Sequence, residues 1–245
     1  EYTVEKPNMK KNEIQIVWFK RDLRISDHKP IYQASTSKIP LLPIYIVEPE
    51  YWKQPFASRR HWHFIYDCLI ELRQDLKQLG QGLIVRTGSV VDIFKEFSEH
   101  HYIKNIYAHE ETGNQWTYNR DIKVKKWCKN NNILLNEFPT NGVVRGLKNR
   151  SEWSKIRKTR IYDTLIKTPL SLTPLTGLEE GSIPEKYDAI FKNDFKGKVQ
   201  KGGRIEALTI LESFLNDRGK GYLFNISAPG KSEITSSRIS AHLTW

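Results

Sequence analysis

The sequence predicts an α/β protein: a five-stranded parallel sheet with helices on both faces. Three observations lead there. Five short apolar, β-favouring runs recur along residues 12–140. Segments with helical spacing of their apolar residues alternate with them. The loops between are short, and strand–helix alternation of this kind is the signature of βαβ units.

The first run is Ile14, Ile16, Val17, Trp18 and Phe19. It is nearly continuous, as suits a strand covered on both faces. Lys20, Arg21, Asp22 and Arg24 follow at its carboxyl end, where ligands of open α/β sheets bind. These charges are either part of a site or a surface ion-pair network that fixes the turn. Asp27 is the expected N-cap of the next helix, with Pro30 in its first turn. Residues 41–47 (LLPIYIV) form the second strand candidate. In residues 58–79, Trp62, Ile65, Leu69, Leu72, Leu76 and Leu79 share one helical face. Gly80 and Gly82 end that helix. Residues 83–87 form the third strand, and Ser89 caps a helix carrying Val90, Ile93, Phe94 and Phe97. Residues 103–108 are the fourth strand, Asn114 caps a helix through about Asn130, and residues 133–138 are the fifth.

From residue 141 the character changes. Residues 142–167 carry eight basic residues against Glu152 and Asp163, with Trp153 and Tyr162 interleaved. Such a stretch either binds nucleic acid or forms a solvated helix face. Residues 168–200 are rich in proline and glycine without periodicity, and read as an interdomain connector. A helix begins near Gly202, with Ala207, Leu208, Leu211, Phe214 and Leu215 on one side. Residues 226–245 lead through a Ser/Thr-rich turn into another helix start. One and a half helices cannot bury a core, so the expected division is 12–140 for the sheet domain, 141–200 for the basic segment and connector, and 201–245 for the start of an incomplete helical domain.

The formal net charge of +11 favours a polyanionic partner, such as nucleic acid or a phosphate-bearing cofactor, although Lys/Asn/Ile-rich usage produces the same excess. No apolar run approaches the ~18 residues of a membrane span. Cys68 and Cys128 have neither disulfide-framework nor metal spacing and read as reduced thiols of a cytoplasmic protein. Residues 1–8, before Met9, read as an upstream extension. The sheet domain has no G-x-G-x-x-G after its first strand, which speaks against a standard dinucleotide site. His28, His109 and His242 have no carboxylate or Cys companion at metal-ligand spacing in the sequence, so no metal is expected. Glu110 and Glu111 follow the fourth strand, where they either meet Arg21 across the sheet edge or cap the next helix. The run Thr235-Ser236-Ser237-Arg238-Ile239-Ser240 places hydroxyls, backbone N–H groups and a guanidinium at a helix start, a pattern that suits a phosphate and equally suits an ordinary cap.

Five segments occur in one order: VWFKRDLRISDHKPI, HEETGN…YNRD (109–121), GVVRGLKNRSEW (142–153), GGRIEAL…RGKGY (202–222) and TSSRISAHLTW (235–245). Together they resemble the DNA photolyase/cryptochrome flavoprotein family, over residue 14 to the last residue. The resemblance implies a Rossmann-like sheet domain, a long connector and an all-helical FAD-binding domain, of which residues 201–245 are the beginning. It implies that Tyr222, Ser236, Ser237, Arg238, Ile239 and Ser240 hold the FAD phosphates. It implies that Arg21, Ile46, Val47 and Glu111 face an antenna chromophore of folate, deazaflavin or flavin type. The residues around the flavin ring are expected beyond Trp245, so no catalytic residue is assigned. The implied activity of the longer parent is light-driven repair of cyclobutane pyrimidine dimers in DNA by electron transfer from reduced FAD, acting as a monomer. The alternatives are a cryptochrome blue-light receptor without repair, and a stand-alone α/β binding module. The 245-residue piece by itself is expected to lack stable FAD and activity.

Overall fold

A computed structural model of the chain describes residues 11–191 and 197–245. The upstream extension and part of the connector therefore lie outside the described residues. Five strands, β1 (Asn12–Phe19), β2 (Leu41–Val47), β3 (Ile84–Thr87), β4 (His101–His109) and β5 (Leu134–Phe138), form one all-parallel sheet in the order β3-β2-β1-β4-β5. The chain is a five-stranded α/β protein, as its sequence predicts.

Alternation along each strand builds two cores. Ile14, Ile16 and Trp18 of β1, with Leu42, Ile44 and Ile46 of β2, face α4 (Val90–His100) and α5 (Gln115–Asn130). Trp18 meets Phe94 edge-on, ring centroids 5.8 Å apart. Val17, Phe19, Tyr45 and Val47 face the other way, onto α1 (Lys29–Ser35) and α3 (Arg59–Gln78). The one buried amide among these positions, Gln15, is satisfied on its donor side by the carbonyls of Ala34 and Ile39.

Ser58, Ser89 and Asn114 cap α3, α4 and α5 through side-chain oxygens, the latter two as their sequence positions suggest. The cap of α1 differs. Its N-cap is His28, whose Nδ1 accepts the Ile31 N–H at 3.2 Å. Asp27 instead adopts a left-handed backbone (φ 49°) and exchanges two hydrogen bonds with the backbone of Ile166. A short α2 (Pro49–Trp52) follows β2.

The described part of the connector is not a free linker. Leu172, Ile183 and Phe191 are buried, and Phe191 stacks on Trp62 at 4.3 Å. The amide of Val85 donates to Glu180, so residues 179–181 cover the outer edge of β3. Arg59 donates to the carbonyls of Asp188 and Phe191 and holds the far end.

The C-terminal part comprises α7 (Arg204–Asn216), α8 (Tyr222–Asn225), α9 (Pro229–Thr235) and α10 (Ser240–Thr244). None of these helices contains a buried residue. The start of α7 is tied to α3. Asp67 accepts the Gly202 N–H, and Glu71 accepts those of Arg204 and Ile205, so two carboxylates satisfy amides that a helix start leaves unpaired. Gly202 lies so close to α3 that a Cβ there would overlap the Phe64 carbonyl oxygen. Gly202→Ala is expected to cost about 1–3 kcal/mol. Proteolysis should then open the chain after the connector while the α/β part stays resistant. An unchanged cleavage pattern and melting temperature would contradict that close contact.

Candidate functional site

Strand order reverses between β1 and β4, so their carboxyl ends form the topological switch point of the sheet. A cleft of about 550 Å³ opens there, between the loops after β1 and β4 and the facing surfaces of α7 and α10. Asp22, His109, Glu110 and Glu111 line it from the sheet side, and Gly203, Ala207, His242 and Trp245 from the helical side. The Leu23 amide donates to the Trp245 carbonyl at 2.8 Å and closes one end.

At its floor one carboxylate holds two histidines. Asp22 Oδ2 lies 2.8 Å from His28 Nε2 and 2.6 Å from His109 Nδ1, while Oδ1 accepts the Lys20 amide. All three side chains are buried. Burial alone would raise the Asp22 carboxyl, but His28 and His109 hold it well below its ordinary range. Burial lowers His28 to about 4, against the pull of Asp22, so its imidazole is neutral at pH 7. These three residues have the spacing of a metal site. The tautomer argues against one. His28 Nδ1 accepts a backbone N–H, so Nε2 carries the ring proton and donates it to Asp22. Ligation through Nε2 would require an imidazolate, so the donor set suits a hydrogen-bonded support and not a cation. Asp22 reaches His109 only across the sheet, 87 residues away, and reaches His28, six residues on, only through the fold of the loop after β1, so neither pairing shows as metal-ligand spacing in the sequence.

Beside it lies a charge network. Arg120 of α5 pairs with Glu48 (2.9 Å), Asp121 (2.9 Å) and Glu111 (3.4 Å). Lys20 pairs with Asp121 at 3.0 Å, and both cations lie against the Trp18 ring. Burial raises the Glu48 carboxyl despite Arg120. Burial opposes the Arg120 charge, yet its three carboxylates raise its pKa further. Arg21 and Glu111 do meet, at 3.6 Å, while Glu110 turns to Arg145 (3.3 Å). Of the four expected antenna residues, Arg21, Ile46 and Glu111 border a cavity of only about 40 Å³, closed by Trp245 over Arg21. Val47 is fully buried in the α3-side core and does not border it.

The third feature is a cleft of about 410 Å³ bordered by Arg60, His61, Lys198, Gln200, Arg238 and Ser240. Arg238 adopts a left-handed backbone (φ 61°) between α9 and α10. The backbone N–H groups of Ser237, Arg238 and Ile239 have no acceptor among the described residues. A left-handed residue followed by the right-handed Ile239 aims successive amides into one concavity, which suits an anion. Helix α10 has five residues, so the loop amides and not a helix dipole are the attraction. The remaining expected residues have other partners. The Ser236 hydroxyl donates to the Ser232 carbonyl, and Tyr222 packs edge-on against Phe214. Arg218, whose role no local pattern in the sequence reveals, donates to the carbonyls of Ile234 and Ser236 and so shapes the segment. Its partners are 16 and 18 residues away.

The family model for DNA photolyase matches residues 15–164, more than half of the chain. This chain belongs to the DNA photolyase family. It is 30% identical over 124 residues to the tomato (Solanum lycopersicum) "Cryptochrome DASH, chloroplastic/mitochondrial", a match covering 48% of this chain and 21% of that relative. Among solved structures it is similar to a bacterial class III photolyase from Agrobacterium tumefaciens, with a TM-score of 0.73 and 19% identity, over 97% of this chain and 51% of that one. It is also similar to an archaeal photolyase from Sulfolobus tokodaii with two FAD molecules, with a TM-score of 0.66 and 22% identity, over 95% and 51%. The chain thus spans about half the length of these structures and a fifth of the tomato relative.

Within this photolyase-family chain, no helix among the described residues is long and apolar enough to cross a membrane. Cys68 and Cys128 are free and buried, and burial pushes both thiols up to about 12, which makes them poor nucleophiles. The segment YNRD, within the matched residues 15–164, contains Arg120 and Asp121, so the centre of the buried network stands in the sequence without a visible partner.

Proposed function

We propose that the full-length protein carrying this chain is a light-driven lyase that repairs cyclobutane pyrimidine dimers in DNA with FAD as its cofactor. The observation that carries the flavin assignment is the set of acceptor-free amides of Ser237, Arg238 and Ile239 beside a cleft bordered by Arg60, Lys198 and Arg238. These groups suit a pyrophosphate, which needs several donors and positive charge. Ser240 borders the same cleft, and Arg218 keeps the loop in shape. Tyr222 and Ser236 then act as supports from behind, through Phe214 and α9. Bound there and reduced, FAD supplies light-driven electron donation to the dimer. This chain's share is to hold the cofactor phosphates and to present positive charge to DNA; the +11 excess supports the second task. An antenna chromophore at Arg21 and Glu111 has weaker support, because 40 Å³ holds about one water molecule and no ring system.

The second reading, a cryptochrome blue-light receptor without repair, draws its support from the Arabidopsis thaliana relative named "Blue-light photoreceptor PHR2", 26% identical over 234 residues. One experiment separates the two. Illuminating the full-length, flavin-loaded protein with a dimer-containing oligonucleotide should restore intact pyrimidines only in the light. Unchanged dimer with flavin fully bound would refute repair and leave the receptor.

A further inference from the structure

We propose that the basic segment around α6 (Trp153–Ile161) is a docking strip for the phosphate backbone of duplex DNA, separate from any lesion pocket. Helix α6 contains no buried residue, so core packing does not account for it. Hydrophobic burial is what ordinarily holds a short helix in a protein, and here polar anchors do so instead. Arg145 pairs with Glu110 and Glu137 at one end, and Ile166 bonds Asp27 at the other. Arg157 lies over Trp153, and Arg160 donates to the carbonyls of Asn141 and Val143. Arg145 thus fastens the strip to the rim of the sheet, while Arg157 and Arg160 hold α6 together and against the loop before it, next to Thr140 and Asn141 of the 550 Å³ cleft.

The other cations are left over. Lys148, Arg150, Lys155, Lys158 and Lys167 are exposed and have no acidic partner among the described residues. Lys155 and Lys158 stand three apart on α6 and share a face. Unpaired like charges held together on a rigid element repel one another unless a polyanion lies across them. The strip suits a duplex and not a stacked single strand. The Trp153 ring is covered by Arg157 and its N–H is given to the Gly142 carbonyl, so Tyr162 is the one widely exposed ring and makes no stacking track. Contacts of this type position the protein on DNA and read no sequence.

This inference rests on the DNA-binding half of the proposed function. It is tested without light and without a lesion, so a failed repair assay and a failure here are separate results. In the full-length protein, Lys148, Lys155 and Lys158 are replaced together by Gln. Affinity for an undamaged duplex is measured by fluorescence anisotropy between about 50 and 200 mM salt. Each lost phosphate contact lowers the slope of log K against log salt by about 0.9, so the triple variant should lose about 2–3 from the slope, and its deficit in affinity should grow by roughly 15- to 60-fold from 200 mM down to 50 mM salt. Flavin content and melting temperature should not change. A matched variant with Lys123, Lys126 and Lys129 of α5 replaced by Gln should keep the wild-type slope, though it loses the same charge. Equal slopes for wild type and the α6 variant overturn the proposal. So does an equal loss in the α5 variant, which would trace the effect to net charge. A shifted melting temperature with an unchanged slope would mark α6 as a seat for another part of the protein and also overturn it.

Discussion

Arg120→Met should lower the unfolding free energy of the chain by about 3–5 kcal/mol, the cost of breaking a buried ion pair from one side. The guanidinium sits among Glu48, Glu111 and Asp121, and it covers one face of the buried Trp18. Methionine fills much of the volume and leaves three carboxylates with Lys20 and Arg21 as their remaining cations. For a domain of this size the loss corresponds to a melting temperature lower by roughly 10 °C. The deficit also has a pH signature. Burial already raises Glu48 above its usual value, and removing Arg120 raises it further. A carboxyl whose folded pKa exceeds its unfolded value stabilises the fold below the unfolded pKa and loses that contribution as pH rises through the folded one. The variant should therefore be most impaired near pH 8 and recover part of the deficit towards pH 5. Urea midpoints at several pH values read both effects. A variant that melts with the wild type would show that the network contributes nothing to stability.

The second large effect is acid lability from His28. Burial depresses His28 to about 4, against an ordinary value of 6.5. Its unfolded form takes up a proton first on acidification, so stability is full above pH 6.5 and falls as pH drops towards 4. That interval amounts to about 3 kcal/mol. Burial lowers His101 and His242 as well, and both add to the same slope. Asp22, held low by the two histidines, gives up its contribution only at still lower pH. His28→Gln keeps an acceptor for the Ile31 amide and removes the titration. Between pH 6.5 and 4 its stability should fall less steeply, by up to about 1.4 kcal/mol per pH unit. A variant with the full wild-type slope would assign the acid lability elsewhere.

Much of the fold was legible because strand and helix periodicities are local. The nearly continuous apolar run of β1 and the three-four spacing in α3 need no knowledge of the rest of the chain, and the caps Ser58, Ser89 and Asn114 act within three residues. Where the sequence misled, a distant contact overrode a local preference. Asp27 and His28 are both able to cap α1, and the tether of Asp27 to Ile166, 139 residues away, leaves the cap to His28. Helix α9 precedes the expected Ser/Thr-rich turn as an additional short helix, held at its end by Arg218.

The candidate sites divide in the same way. By itself the sequence determined five strands, their alternating helices, the change of character at residue 141 and a phosphate-suited run at 235–240. Each of these depends on neighbours within one or two turns. Only the tertiary structure decided that β1 lies beside β4. That order brings Asp22 to His109, 87 residues away, and turns histidines that looked idle into a buried support under the cleft. It also decided that Arg120 faces Glu48, 72 residues away, and that the connector closes the edge of β3. The physical reason is that strand order and buried pairing depend on how two faces of a sheet are covered, and that is a property of the packed chain and not of any segment within it.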